Sequence, residues 1–361
     1  MNVFDYLKYY GNYTFSEREF NEIDNVIFSI LSYVNFNFIV SKNRRRKITL
    51  NEASYIYDLM HDSKDNKNNI LAIRQAIKLL KKIKDVPRFK DVLVYNYRYI
   101  GNDVSQFSAI TFEISNKLCY VAFEGTDHLV SGWKEDCKMS YKFPVDAHRY
   151  AIKYLNKFMF FNKKIIVGGH SKGGNLALVS SMYTNCFVRG KIIKIYSNDG
   201  QGLREEQIKS DNYNKIEDKY IHIIPNNSTV GLLLKHKDNY RVIKSNAVGL
   251  LAHDAITWQV DGSSFMDAQL SNFSKVLEIG MESWLDKYSD EEREKFVDCV
   301  FSVLSENNIQ SLVQFKTQIG LIFKIFKSLK NVDLTVKNMI TDLFKVLSDT
   351  NKEYKWFNKN E

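Results

Sequence analysis

The sequence predicts an α/β fold: a mainly parallel central sheet flanked by helices, with a helical N-terminal segment and a C-terminal helical extension. Three observations predict it. Between Ser108 and Ser245, short β-branched and aromatic runs alternate with helical ones, the pattern of parallel strands joined by crossover helices. The runs LCYVAF (118–123) and IIV (165–167) are apolar throughout, as strands covered on both faces are. Before residue 90 and after residue 281, strand signals give way to helical periodicity.

Taken in order, residues 1–90 read as helical and packed on the core. Ser16 and Glu19 have capping-box spacing, and Phe20, Ile23, Ile27, Ile30 and Val34 then recur on one helical face. Thr49 and Glu52 repeat the cap signal before a second helix, at whose end His61 is placed to meet the helix dipole. Ile70, Ile73, Ile77 and Leu80 mark a third helix with lysines on its other face. The pattern changes after Pro87, and residues 91–280 form the α/β core. Strands are expected at SAITFEI (108–114), LCYVAF, IIV, KIIKIYS (191–197), YIHII (220–224) and YRVIKS (240–245). Helices are expected after Pro144, through His148 and Leu155, and over Leu176–Met182. Residues 281–361 extend this core with amphipathic helices at Trp284–Leu304, Leu312–Leu329 and Val336–Leu347.

Composition narrows the function classes. Hydrophobic content of 44% and aromatic content of 14% are those of a folded chain. The formal charge of +9 comes from scattered lysines, without the basic stripe or motif of a nucleic-acid binder. No nucleic-acid partner is expected. Cys119, Cys137, Cys186 and Cys299 are far apart and form no CxxC pair, against both a disulfide framework and a zinc site. The N-terminal MNVFDYLKYY lacks a signal-peptide pattern and no apolar run reaches membrane-spanning length. A cytoplasmic location is the expectation.

The stretch IIVGGHSKGGNLAL (165–178) contains Gly169-His170-Ser171-Lys172-Gly173, a G-x-S-x-G sequence with a strand before it and a helix after it. A hydroxyl lifted clear of a sheet needs so sharp a turn that side chains two residues either side would collide, hence Gly169 and Gly173. The helix that follows turns its free N–H groups toward the serine, and the Lys172 N–H points at a developing oxyanion. The alternative, a glycine-rich turn that cradles phosphate, lacks the P-loop order of glycine and lysine.

A serine nucleophile requires a base and the base an orienting acid, in the chain order serine, acid, histidine. Three histidines follow Ser171. His222 lies in an apolar strand and reads as a core residue; His236 lies in LLLKHKDN, a charged stretch expected to be exposed. His253, in the loop-like GLLAHDAITW after the last strand, is the candidate base. Asp199, directly after a strand in IYSNDGQG, is the candidate acid, though Asn-Asp-Gly is also plain turn chemistry. Asp254 adjoins His253 but adjacent residues rarely orient each other. The second oxyanion donor is placed at Thr126 in VAFEGTDH, through its N–H and its hydroxyl.

These residues resemble a known group. FDYLKYYG, FEGTD with HLVSGWKED, GGHSKGGNLAL, YSNDGQGL, IIPNNSTVGLLL and HDAITWQVDG are similar to the Mbeg1-like family of lipase-like α/β-hydrolases, over roughly residues 1–300. The resemblance implies the α/β-hydrolase fold and a serine hydrolase acting on a small-molecule ester or lipid. Ser171 would be the nucleophile and His253 the base, with an oxyanion hole near Thr126 and Lys172; no cofactor or metal is implied. Two departures stand out. The lipase pattern F-R-G-T reads Phe123-Glu124-Gly125-Thr126 here, and the acid of an Asp-x-Val-Pro stretch is replaced by Ser228. Either the acid has moved to Asp199 or the triad is incomplete. The second reading is therefore a catalytically silent scaffold that binds lipid, a membrane surface or a protein partner, with residues 317–332 as a basic amphipathic helix for peripheral membrane contact.

Overall fold

A computed structural model describes residues 1–61, 70–102, 105–126, 130–237, 240–306 and 332–360, with residues 353–360 as backbone. In chain order the N-terminal part contains α1 (Val3–Tyr10), α2 (Glu22–Leu31), β1 (Ile48–Thr49), α3 (Leu50–Met60) and α4 (Leu71–Ile83). Then come β2 (Leu93–Gly101), β3 (Gln106–Glu113), β4 (Leu118–Phe123), α5 (Val130–Lys138), α6 (Asp146–Asn156), β5 (Lys164–His170) and α7 (Lys172–Tyr183). Short helices α8 (Cys186–Arg189), α9 (Glu205–Ile208) and α10 (Asp211–Asn214) punctuate the connections around β6 (Ile192–Asn198) and β7 (Tyr220–Pro225). β8 (Tyr240–Ile243) is followed by a small hairpin, β9 (Val260–Asp261) and β10 (Ser264–Phe265). Helices α11 (Asn272–Lys287), α12 (Asp290–Glu306) and α13 (Leu334–Asn360) complete the described chain.

The main sheet runs β1 to β8 in sequence order. The pairings from β1 to β4 are antiparallel and those from β4 to β8 parallel. The sheet is thus the expected one with a parallel centre, and its first strands add an antiparallel flank. The turn at 114–117 is too short for a crossover, so β3 and β4 must pair as a hairpin.

Side-chain alternation in β4 explains the two layers. Tyr120 and Ala122 face a core built with α2 and α4, while Cys119, Val121 and Phe123 face a core built with α6 and α7. Both faces are covered, as the unbroken apolar runs require. These layers make the α/β-hydrolase fold.

Helix α2 packs on β4, β5 and β6 and is buried nearly all round. Its cap is not the expected one. Asn21 accepts from the N–H groups of Ile23 and Asp24, and Asp24 accepts from the Asn21 N–H. Ser16 and Glu19 lie upstream, and Phe20 stays outside the helix to stack on Phe28 and Tyr120. Asp24 is also the buried partner of Arg88, at 2.7 Å, and accepts from the Tyr6 hydroxyl at 2.9 Å. This knot ties α1, α2 and the turn after Pro87 together.

The Thr49–Glu52 capping box starts α3, and His61 ends it with Nδ1 3.2 Å from the Tyr57 carbonyl. The helix expected at Trp284–Leu304 is two helices. Ser289 and Glu292 form a capping box that starts a new one. The Trp284 indole donates to the Met339 carbonyl at 3.1 Å, joining α11 to α13. The helix expected at Leu312–Leu329, and with it the basic amphipathic face of 317–332, falls outside the described residues. Among those residues no helix is long and apolar enough to cross a membrane.

Candidate active site

Strand register brings the site together. Phe123 pairs with Gly169 and His170 with Asn198, so β4, β5 and β6 end side by side. Their exits carry Glu124-Gly125-Thr126, Ser171 and Asp199. Ser171 has φ +58° and ψ −133°, a conformation L side chains rarely adopt, which costs on the order of 1–3 kcal/mol. Its neighbours hold it there: the Ser171 N–H donates to Asn198 O at 3.0 Å and Ser171 O accepts from Gly174 N at 2.9 Å. A Cβ on Gly169 would lie 2.3 Å from the Gly173 carbonyl carbon, and one on Gly173 would lie 2.1 Å from Phe123 O. Both glycines are therefore set by the crossing of β4 under the bend.

His253 closes a 3-10 turn over Gly249–His253. Its Nδ1 lies 2.6 Å from Asp199 Oδ2, so the base and acid candidates meet although they are 54 residues apart. Asp199 is fully buried, with φ +51° directly after β6. Its other oxygen, Oδ1, accepts from the Ser228 hydroxyl at 2.5 Å and from the Gly231 N–H at 3.1 Å. Ser228 thus donates to the candidate acid. Asp254 turns away and accepts from the Ile256 N–H at 3.1 Å.

Ser171 is tied to His253 through His170. The His170 ring lies 4.4 Å from the His253 ring, and its Nε2 donates to the His253 carbonyl at 2.7 Å. Nδ1 of a neutral ring must then accept, and Tyr33 donates to it at 2.9 Å. Burial pushes the His170 pKa well below the usual range, with the charge of His253 adding to it. The ring stays neutral and keeps this tautomer. No hydrogen bond joins the Ser171 hydroxyl to His253 Nε2 among the described residues. With Nδ1 facing Asp199, Nε2 of His253 is the ring atom left to receive a proton.

Of the other histidines, His222 is a buried core residue as expected. His236 is not exposed: its ring stacks on that of His222 at 4.6 Å, and burial lowers its pKa to about 4. The apolar run LLL before it pulls the segment inward against β7.

The two oxyanion candidates sit on adjacent exits. Lys172 occupies the first position of α7, where its N–H has no acceptor within the helix. Its side chain points elsewhere, fully buried, with Nζ 2.6 Å from Glu135 and 2.9 Å from Gln106 O. Glu135 also accepts from Ser105 Oγ and Ala147 N, which fixes α5 to the sheet. An ammonium so engaged is no base for Ser171. Thr126 departs from expectation in part. Its hydroxyl donates to Asp136, leaving only the N–H for an oxyanion. Burial raises the Asp136 pKa to about 6, against the pull of Lys172. Among the described residues no group of three or more metal-ligating side chains exists.

Several site residues escaped the sequence reading. Helix α2 sends Asn25 and Ser29 to the sheet, where Asn25 Nδ2 donates to Asn198 Oδ1 at 2.8 Å and Asn198 Nδ2 donates to Gly169 O at 3.0 Å. Their signal was present: Asn25, Ser29 and Ser32 fall on one stripe of an otherwise apolar helix. Tyr33 carries no comparable sign, and Ser228 was singled out only as a departure from the lipase pattern and not as a partner of Asp199.

The family model described as Mbeg1-like matches residues 83–302. No curated protein matches. Among solved structures, the crystal structure of M37 lipase is similar at 14% identity, over 57% of this chain and 68% of that one, with a TM-score of 0.33. The family match takes in more than half of the 361 residues, from the end of α4 into α12 and across every strand exit just described, so the chain belongs to the Mbeg1-like family.

Proposed function

We propose that the protein is a serine hydrolase that cleaves a carboxylic ester of a small molecule or lipid, with Ser171, His253 and Asp199 as its triad. The observation that carries this reading is the 2.6 Å contact between Asp199 and His253 on strand exits adjoining a serine in a strained bend. Ser171 Oγ attacks the ester carbonyl as His253 Nε2 takes its proton. Asp199 holds the imidazole by Nδ1 and stabilises the imidazolium. The N–H groups of Thr126 and Lys172 stabilise the tetrahedral oxyanion. His253 then protonates the departing alcohol, and the acyl-serine forms. A water deprotonated by His253 attacks this ester, and the acid leaves as Ser171 regains its proton. The scheme calls for no cofactor. In this reading residues 91–280 are the catalytic unit, 1–90 a helical buttress beneath it and 281–361 a helical extension.

A fluorophosphonate probe tests it. The wild type should label at one site, and Ser171→Ala should not label. Equal labelling of both, or none of either together with no cleavage of short-chain esters, removes the hydrolase reading and leaves a silent scaffold.

A further inference from the structure

Away from the strand exits, the segment after α2, the kink in β2 and the end of α6 enclose an open cavity of about 410 Å3. Its walls are Lys42, Asn43, Arg44, Asn96, Arg98 and Lys157, four cations and no carboxylate. Backbone contacts gather them. Arg98 Nη2 donates to Lys42 O at 3.1 Å, and Arg44 donates to Lys157 O at the C-terminal end of α6. Asn96 has φ +56° where the register between β2 and β3 shifts. Its carbonyl accepts from the Tyr154 hydroxyl at 2.9 Å.

Three features set this cluster apart from a solvated face. The donors Asn96 Nδ2 and Arg98 Nε are buried without an acceptor. Buried polar atoms without partners are costly and ask for a ligand. The charges acting on Lys157 are those of Arg98, Arg44 and Lys153, all of one sign, and together with its burial they lower its pKa. By contrast, Lys81 and Lys84 on α4 lie 2.9 and 3.6 Å from Asp58. Arg44 and Arg98 each donate to a main-chain carbonyl, and the Lys157 ammonium lies 5.8 Å from the centre of the Tyr154 ring, but no carboxylate lines the cavity to balance the four charges.

We propose that this cavity is a binding site for a phosphate-bearing anion. A phosphoryl group carries up to two charges and several acceptor oxygens, which suits a guanidinium fork with spare donors beside two ammonium groups. The anion is either free phosphate or the headgroup of an anionic lipid. Phe38, 95% exposed and four residues before Lys42, would enter the bilayer in the second case.

The test uses the full chain and its unfolding midpoint in inorganic phosphate against chloride of equal ionic strength. It compares wild type with R98Q/K157Q and with K81Q/K82Q, which loses the same charge elsewhere. Phosphate should raise the midpoint of wild type and K81Q/K82Q, and R98Q/K157Q should bind it about tenfold more weakly or worse. Each variant is compared with itself in chloride, so the loss of the Arg98 hydrogen bond to the Lys42 carbonyl does not enter the phosphate response. Sedimentation with phosphatidylserine-containing vesicles, but not with phosphatidylcholine alone, that R98Q/K157Q loses and K81Q/K82Q keeps assigns the anion as a headgroup. A phosphate response without sedimentation assigns free phosphate. The proposal is overturned if wild type responds to neither, if R98Q/K157Q keeps the response, or if both double variants lose it alike.

Discussion

Ser228 donates to Asp199 at 2.5 Å, on the carboxylate oxygen that does not face His253. The carboxylate comes from the end of β6, and Ser228 supplies a donor that aims it. Without Ser228, only the Gly231 N–H would remain on Oδ1. Ser228→Ala should therefore slow fluorophosphonate labelling about tenfold, the worth of one hydrogen bond to a charged group. Asp199→Asn should slow it about 10⁴-fold, because the imidazole loses its orientation and tautomer. Labelling of Ser228→Ala at the wild-type rate would show that the Gly231 N–H suffices.

Tyr33 and His170 form the other support of the proposed base, His253. Tyr33→Phe leaves His170 Nδ1 buried without a donor, so the ring is no longer held to the tautomer that grips the His253 carbonyl. Labelling should slow about threefold to tenfold, while stability drops by about 1 kcal/mol. His170→Asn, which retains an N–H donor for that carbonyl, should recover more of the rate than His170→Ala. A ranking in which Asn and Ala are equal would make His170 a packing residue only.

What could be read from the sequence and what could not divides along physical lines. The bend at Ser171 was legible because its glycines answer a steric demand made within five residues. The central strands were legible because burial on both faces leaves LCYVAF and IIV apolar. β2 was missed: in LVYNYRYIG the kink at Asn96 and the charge of Arg98 break the apolar run. The cap of α2 was misplaced because two capping spacings lie five residues apart. Packing of Phe20 on Phe28 and Tyr120 chose between them. Asp199 and His253 were chosen from their positions after strands and their chain order, but that they meet across 54 residues depends on the order of the strands, which no local spacing encodes. His236 looked exposed because lysines flank it, yet only its ring turns inward onto His222.

Gly173→Ala should act on folding before it acts on chemistry. The added methyl would meet the carbonyl oxygen of Phe123 at 2.1 Å, and both partners are backbone that cannot step aside. The expected loss is about 3 kcal/mol or more of unfolding free energy, if the chain folds at all. Gly190→Ala is the control, since its nearest neighbour would be 3.4 Å away. A Gly173→Ala protein as stable as Gly190→Ala would mean that β4 can move away from the bend.

Asp136 gives the site a pH dependence whose sign is fixed by its environment. Its pKa rises to about 6 in the fold because burial outweighs the attraction of Lys172. A carboxyl that binds its proton more tightly when folded stabilises the native state at low pH. That contribution is present below the unfolded pKa near 4 and is lost as pH rises through 6. The charge is retained at higher pH, where it accepts from the Thr126 hydroxyl and holds the loop after β4. Unfolding free energies of wild type and Asp136→Asn, measured in urea from pH 4 to 7, should separate the two. Wild type should lose on the order of 1–3 kcal/mol relative to the variant between pH 4 and 6, with no further change above. A difference that stays flat across this window would mean that Lys172 offsets the burial of Asp136 completely. The raised pKa would then play no part in the acid limb of the protein's stability.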